Sequence, residues 1–191
     1  TNQIQVSGTN SAGTGASDTV QIIRPSAASG PVTIFEDDFE DGDLAGWTPD
    51  ATGNWTNGTA APIAGARSLK HNLASVAATN HVYAQPVYDL AADTTTWRFK
   101  LSNGNWDPSG SSRFHVFLTA SDSDLKGAAV DGYAVGVNLS GTDDLVKLWR
   151  VTDGAGTALA ASTLDWNADT ACAVEVTRTV AGVWELKTAT N

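Results

Sequence analysis

Methionine is absent from the 191 residues, and cysteine occurs once, at Cys172. A single thiol excludes an intramolecular disulfide framework and a thiolate metal cluster. It lies in Thr170-Ala-Cys-Ala-Val-Glu-Val176, a strand-like run, and reads as a buried, inert thiol. Histidine is scarce as well. His71, His81 and His115 are scattered and no HExxH spacing occurs, so the chain carries no zinc-hydrolase signature. Charged residues make up 17%, below the roughly 25% usual in soluble domains. The scarcer sign is positive: 11 Lys+Arg stand against 21 Asp+Glu, for a net charge of −10. That balance disfavours nucleic acid and membrane partners bound through bulk charge. No apolar run approaches the ~18–20 residues that cross a bilayer. A nucleophile elbow, a phosphate-binding loop and a dinucleotide fingerprint are missing too.

What remains is a chain of short alternating runs punctuated by Gly, Asn, Asp, Ser and Pro. Strands are predicted over 3–7, 19–24, 33–40, 68–73, 81–88, 96–101, 113–120, 132–139, 145–151, 171–179 and 183–188. Arg113-Phe-His-Val-Phe-Leu118 and Leu145-Val-Lys-Leu-Trp-Arg-Val151 each have one apolar and one polar face, as an antiparallel sheet needs. Many short strands at this spacing predict an all-β sandwich or barrel. The first residues, Thr1-Asn-Gln-Ile-Gln-Val-Ser7, read as the inside of a strand, so the chain is taken as a piece of a longer protein.

Pro25-Ser-Ala-Ala-Ser-Gly-Pro31 brackets small residues between two prolines and reads as a linker. The expected organisation is a hairpin over 1–25, a linker over 26–32 and a main domain over 33–191. The hairpin, with its Asn10-Ser-Ala-Gly13 turn, resembles the last two strands of a fibronectin type III or bacterial immunoglobulin-like domain.

In the main segment the order of motifs carries a second resemblance. Ile34-Phe-Glu-Asp-Asp-Phe-Glu-Asp-Gly-Asp-Leu-Ala-Gly-Trp47 comes first, then Gly65-Ala-Arg-Ser-Leu-Lys-His71 and Trp97-Arg-Phe-Lys-Leu101. Asp131-Gly-Tyr-Ala-Val-Gly-Val137, Asp144-Leu-Val-Lys-Leu-Trp-Arg150 and Val176-Thr-Arg-Thr-Val-Ala-Gly-Val-Trp-Glu-Leu186 follow. Together they resemble the concanavalin A-like (laminin G or MAM-like) jelly-roll domains of secreted, multidomain surface proteins of Bacteroidota. The resemblance implies a two-sheet antiparallel jelly-roll sandwich that continues past Leu186 with two or three more strands. It also implies a secreted, cell-surface module for adhesion, binding or structure, without catalysis. Its implied partners are a glycan or surface protein and neighbouring domains of the same polypeptide. The expected lack of the last strands in 33–191 leaves open edges, which upstream residues 1–25, further residues or a second copy by strand donation would fill. A carbohydrate-binding module attached to an enzyme is the first rival reading.

The sharpest cluster is Glu36-Asp-Asp-Phe-Glu-Asp-Gly-Asp43. On a strand, Glu36, Asp38 and Glu40 would share a face. That spacing matches the catalytic strand of laminarinase-type glycoside hydrolases, where two carboxylates serve as nucleophile and acid/base. The competing reading is structural Ca2+ held by Asp38, Glu40, Asp41 and Asp43, with Gly42 permitting a sharp bend. Exposed aromatics stack on sugar rings. Trp55 and Trp106 sit in polar loop-like stretches and are the candidate sugar platforms, whereas Trp97, Trp149 and Trp184 lie in alternating strands and read as core. Arg150 and Arg178 are expected to form ion pairs on polar strand faces. Asp18-Thr19-Val20, Asp93-Thr94-Thr95 and Asp169-Thr170-Ala171 match an Asp-Thr-aliphatic O-glycosylation pattern. Asn54-Trp-Thr56, Asn57-Gly-Thr59 and Asn138-Leu-Ser140 match the N-glycosylation sequon.

Overall fold

The computed structural model describes residues 2–9, 15–22, 30–73, 78–104, 106–108, 112–168 and 170–190, with side chains from residue 30 onward. Their regular elements are all strands: β1 (Asn2–Thr9), β2 (Gly15–Ile22), β3 (Thr48–Pro49), β4 (Trp55–Gly58), β5 (Ser68–His71), β6 (Val82–Tyr83), β7 (Thr95–Ser102), β8 (Phe114–Ala120), β9 (Gly132–Val137), β10 (Leu145–Thr152), β11 (Ala155–Asp165), β12 (Ala171–Arg178) and β13 (Trp184–Thr190). The chain divides into two compact units, Thr1–Ile34 and Phe35–Asn191.

In the first unit β1 and β2 pair antiparallel, from Asn2 opposite Ile22 to Thr9 opposite Gly15. The turn at 10–13 and residues 26–29 of the expected linker lie outside the described residues.

The second unit holds two larger sheets, one in the order β11-β10-β9-β8 and one in the order β13-β12-β7. Their period-2 alternation builds one core between them. Val135 and Val137 of β9, Val146 and Leu148 of β10 and Leu118 of β8 meet Leu101 of β7 and Cys172, Val174 and Val176 of β12. Each of the larger side chains gains about 1.5–3 kcal/mol from full burial. Trp166 joins this core beside Phe114, with ring centroids 5.3 Å apart. An aromatic row runs from Tyr88 to Trp97 (5.9 Å), Trp184 (5.7 Å) and then Tyr133 (4.5 Å), so rings of both sheets touch. Cys172 is fully buried, and burial pushes its thiol up to about 11, as an inert core cysteine requires.

On the reverse of the four-stranded sheet, Val130, Ala134 and Val151 cluster with Phe117 and Leu139. Trp149 is 1% exposed and its Nε1–H donates to the Gly136 carbonyl at 2.9 Å. Gly132 and Gly136 are packing requirements: a Cβ at either would stand 2.0 Å from a carbonyl oxygen of β8.

Smaller pairs precede these sheets. β3 pairs with β6, and between them in sequence β4 pairs with β5. Tyr88 hydroxyl donates to the Leu118 carbonyl, tying this region to β8.

Several expectations need correction. Residues 33–40 form no strand. Asp37 and Asp38 accept the N–H groups of Phe39 and Glu40, two residues on, which competes with ladder pairing, and Phe39 turns to φ 63°. β11, the longest strand, was not predicted, because Ala155-Gly-Thr-Ala-Leu-Ala-Ala-Ser-Thr-Leu-Asp165 alternates poorly and is rich in alanine. The stretch expected at 81–88 reduces to Val82–Tyr83, as Pro86 has no N–H to donate. Arg178 departs from the expected ion pair. Its Nη1 donates to the carbonyls of Leu90 (2.6 Å) and Thr179 (3.3 Å), and its guanidinium lies 5.9 Å from the Trp184 ring.

Candidate functional site

The acidic opening is a turn built from its own carboxylates. Besides the Asp37 and Asp38 bonds, Asp41 accepts from the Asp43 N–H at 3.2 Å and Asp43 from the Ala45 N–H at 2.7 Å. Gly42, at φ 87°, makes the bend. Asp37 uses its second oxygen to accept the Trp47 indole N–H at 2.6 Å, and Trp47 packs on Phe35 and Phe39 with centroids 5.7 Å away.

Two side chains fasten this turn to the β4–β5 pair. Glu40 Oε1 accepts the N–H groups of Ala66 (2.8 Å) and Arg67 (3.1 Å). Gly65 stands at φ 61°, and a Cβ there would lie 2.1 Å from that oxygen, so a larger residue would displace the Glu40 carboxylate from its two donors. From β4, Asn57 Nδ2 donates to the carbonyls of Phe39 (2.7 Å) and Asp43 (2.8 Å). Its Oδ1 is buried and has no hydrogen-bond partner. Thus Glu36, Asp38 and Glu40 do not line one strand face, and Glu40 is committed to backbone donors. Among the described residues no three His, Cys, Asp or Glu side chains converge as a metal-holding group.

A second polar group surrounds Asp50, just after β3. Its carboxylate is 6% exposed and lies 3.2 Å from both Asn54 Nδ2 and Lys126 Nζ. Burial works against its charge, but bonds from Asn54, Lys126 and the His81 backbone outweigh it and hold the carboxyl below its usual range. His81 Nδ1 is 4.0 Å from both Asp50 and Asp124, buried and without a hydrogen bond. Asn80 bridges Asn54 (2.8 Å) and His71 (3.3 Å). The group joins the β3–β6 pair to the loop after β8.

The other predicted residues are dispersed. Trp55 stands in β4, half-buried, its ring 5.1 Å from that of His71, so the loop expected there is a strand. Trp106 is 38% exposed and stands edge-on to Trp166 at 6.1 Å. Thr94 is exposed, and Thr170 is half-buried with its N–H held by Asn103 Oδ1. The side chain of Thr19 and residue Asp169 lie outside what is described. All three sequon asparagines have their amides engaged in the fold: Asn54 with Asp50 and Asn80, Asn57 with Phe39 and Asp43, and Asn138 with Asp144.

Reading the sequence missed Asn57 as a fastening residue and missed the Asp50 group. Their partners lie up to 76 positions away, as Lys126 does from Asp50, and no local spacing signals such pairs. No family model, curated protein or solved structure matches this chain.

Proposed function

We propose that the chain is a non-catalytic binding or structural module of a secreted, cell-surface multidomain protein, built as a concanavalin A-like jelly roll. What supports the non-catalytic reading is Glu40. A retaining glycosidase needs two carboxyl groups facing one bond, about 5–5.5 Å apart. Here the would-be acid/base accepts two backbone N–H groups, and the segment bearing Glu36 and Asp38 forms no strand. Incubation with the β-glucan laminarin should release no reducing ends. Release that disappears in Glu36→Gln would overturn the proposal.

The acidic opening further supports a structural Ca2+. Two carbonyls, Phe39 O and Asp43 O, converge on the Asn57 amide, whose own oxygen is buried and unpartnered. Half a turn of that amide exchanges its two ends and brings a third oxygen to the same point. Asp38, Asp41 and Asp43 lie in the same stretch of chain, and hard cations favour mixed carbonyl and carboxylate oxygens. In this assignment Asn57 replaces Glu40 in the ligand set. A ligand bound only by the folded state adds about 2.7 kcal/mol at one hundred times its Kd. Melting in 2 mM calcium should therefore lie several degrees above melting in chelator, and Asn57→Ala should abolish the difference. Equal midpoints for the unaltered protein would rule the ion out.

A further inference from the structure

The outward face of the β13-β12-β7 sheet follows from its register. Lys100, Ala173 and Ala189 stand in one cross-strand row, and Arg98, Glu175 and Lys187 in the next. Above them lies a shallow trough of about 500 Å³. Arg98 and Lys187 are 70% and 58% exposed. Glu175 accepts from Arg98 at 2.8 Å and lies 3.2 Å from Lys187, and these two cations hold its carboxyl below the usual range. The row of Lys100 contains no acid, only two alanines. The trough thus holds three cations and one anion, with Glu185 beside it 3.2 Å from Lys187, and Lys100 is the cation set furthest from both acids, in a chain of net charge −10.

The geometry points to this trough as a binding surface for a saccharide chain bearing carboxylates. The Cβ of Ala173 stands about 5 Å from that of Lys100 across the strands, with Arg98 and Lys187 on diagonals of about 7–8 Å, so an anionic group over Ala173 is flanked by these three stems. Ala173 and Ala189 leave the floor open. A neutral sugar needs an aromatic platform, and the outward residues of these strands include none. An extended peptide gains its affinity from main-chain pairing at a sheet edge, which a sheet face does not offer. A polymer with an anion on every ring suits a site that recognises charge through side chains. The inference rests on the binding-module reading above and names a ligand class for it.

The test is calorimetric titration of the whole chain at low salt with polygalacturonate oligomers, dextran of matched length and polyglutamate. Polygalacturonate should bind, weaken as salt rises, and bind about tenfold more weakly to Lys100→Gln and to Ala173→Glu. Lys100→Arg should retain binding, which separates lost charge from lost fold. Equal binding of dextran, equal binding of polyglutamate, no binding at all, or full binding by both weakened variants would each overturn the assignment. None of these outcomes bears on the calcium response or the laminarin result, which report on other residues.

Discussion

His115 of β8 packs on Phe117 with ring centroids 5.1 Å apart, and its Nδ1 is buried without a partner. Burial, aided by the charge of Arg113, lowers its pKa to about 4 from the ordinary 6.5. A depressed value means that folding favours the neutral ring. The stabilisation is fully present above pH 6.5 and is lost as pH falls from 6.5 toward 4. Between pH 7.5 and pH 5 the loss should be about 2 kcal/mol, read from urea unfolding at the two pH values. His115→Gln should flatten that slope. An unchanged slope would assign the acid sensitivity to other groups. Asp143, held down by Lys147, adds its own loss only near and below its ordinary 3.8. A neighbouring position is set by space alone. Gly136→Ala would drive a methyl to 2.0 Å from the Phe114 carbonyl, and should cost on the order of 3 kcal/mol by the same assay. The roles of Trp149 and Cys172 were legible because alternation around them predicted burial. That of Gly136 was not, since Asp131-Gly-Tyr-Ala-Val-Gly-Val137 does not reveal which backbone will press against it.

Among the elements, the acidic opening was legible as a distinct feature and illegible as a shape. Its acids and its glycine mark a bend, while Phe35 and Phe39 suggest a strand. The competition is decided by Asp37, Asp38, Asp41 and Asp43, each of which accepts an N–H two residues on. Asn57→Ala would remove the donor shared by two carbonyls, at a cost of about 1–3 kcal/mol in chelator, measured by thermal melting. Limited proteolysis should then cut within 38–45 faster than in the parent protein. β11 escaped prediction for the opposite reason: its composition gives little β signal, and its pairing with β10 supplies the order instead. That pairing slips twice, between Leu145 and Lys147 and between Leu148 and Trp149. Bulges of this kind bend a strand and spoil its edge as a template for another. β13 guards its sheet's edge differently, with Glu185 and Lys187. Both devices weigh against assembly by strand donation through these edges.

At the scale of the whole unit Phe35–Asn191, stability is concentrated where the two larger sheets meet. Leu148 is fully buried there, and Leu148→Ala should cost about 2–5 kcal/mol by urea unfolding, whereas Leu159→Ala, at a site 47% exposed, should change it by less than about 0.5 kcal/mol. Composition and alternation were enough to predict an all-β fold with opposed faces. Strand order was not legible, because β7 lies next to β12 across some seventy intervening residues and nothing local to either strand encodes the partner. The aromatic row gives this interface an optical signature. Trp97 and Trp184 lie 5.7 Å apart and within 14° of parallel, close enough for their electronic transitions to couple. Tyr133 reaches the same indole from the opposite sheet. Near-ultraviolet circular dichroism should therefore show a strong band from this ring pair of the three-stranded sheet, and separating the sheets should weaken it by removing Tyr133. Tyr133→Leu should reduce that band while far-ultraviolet signal persists, giving a spectroscopic gauge of sandwich closure that needs no added dye.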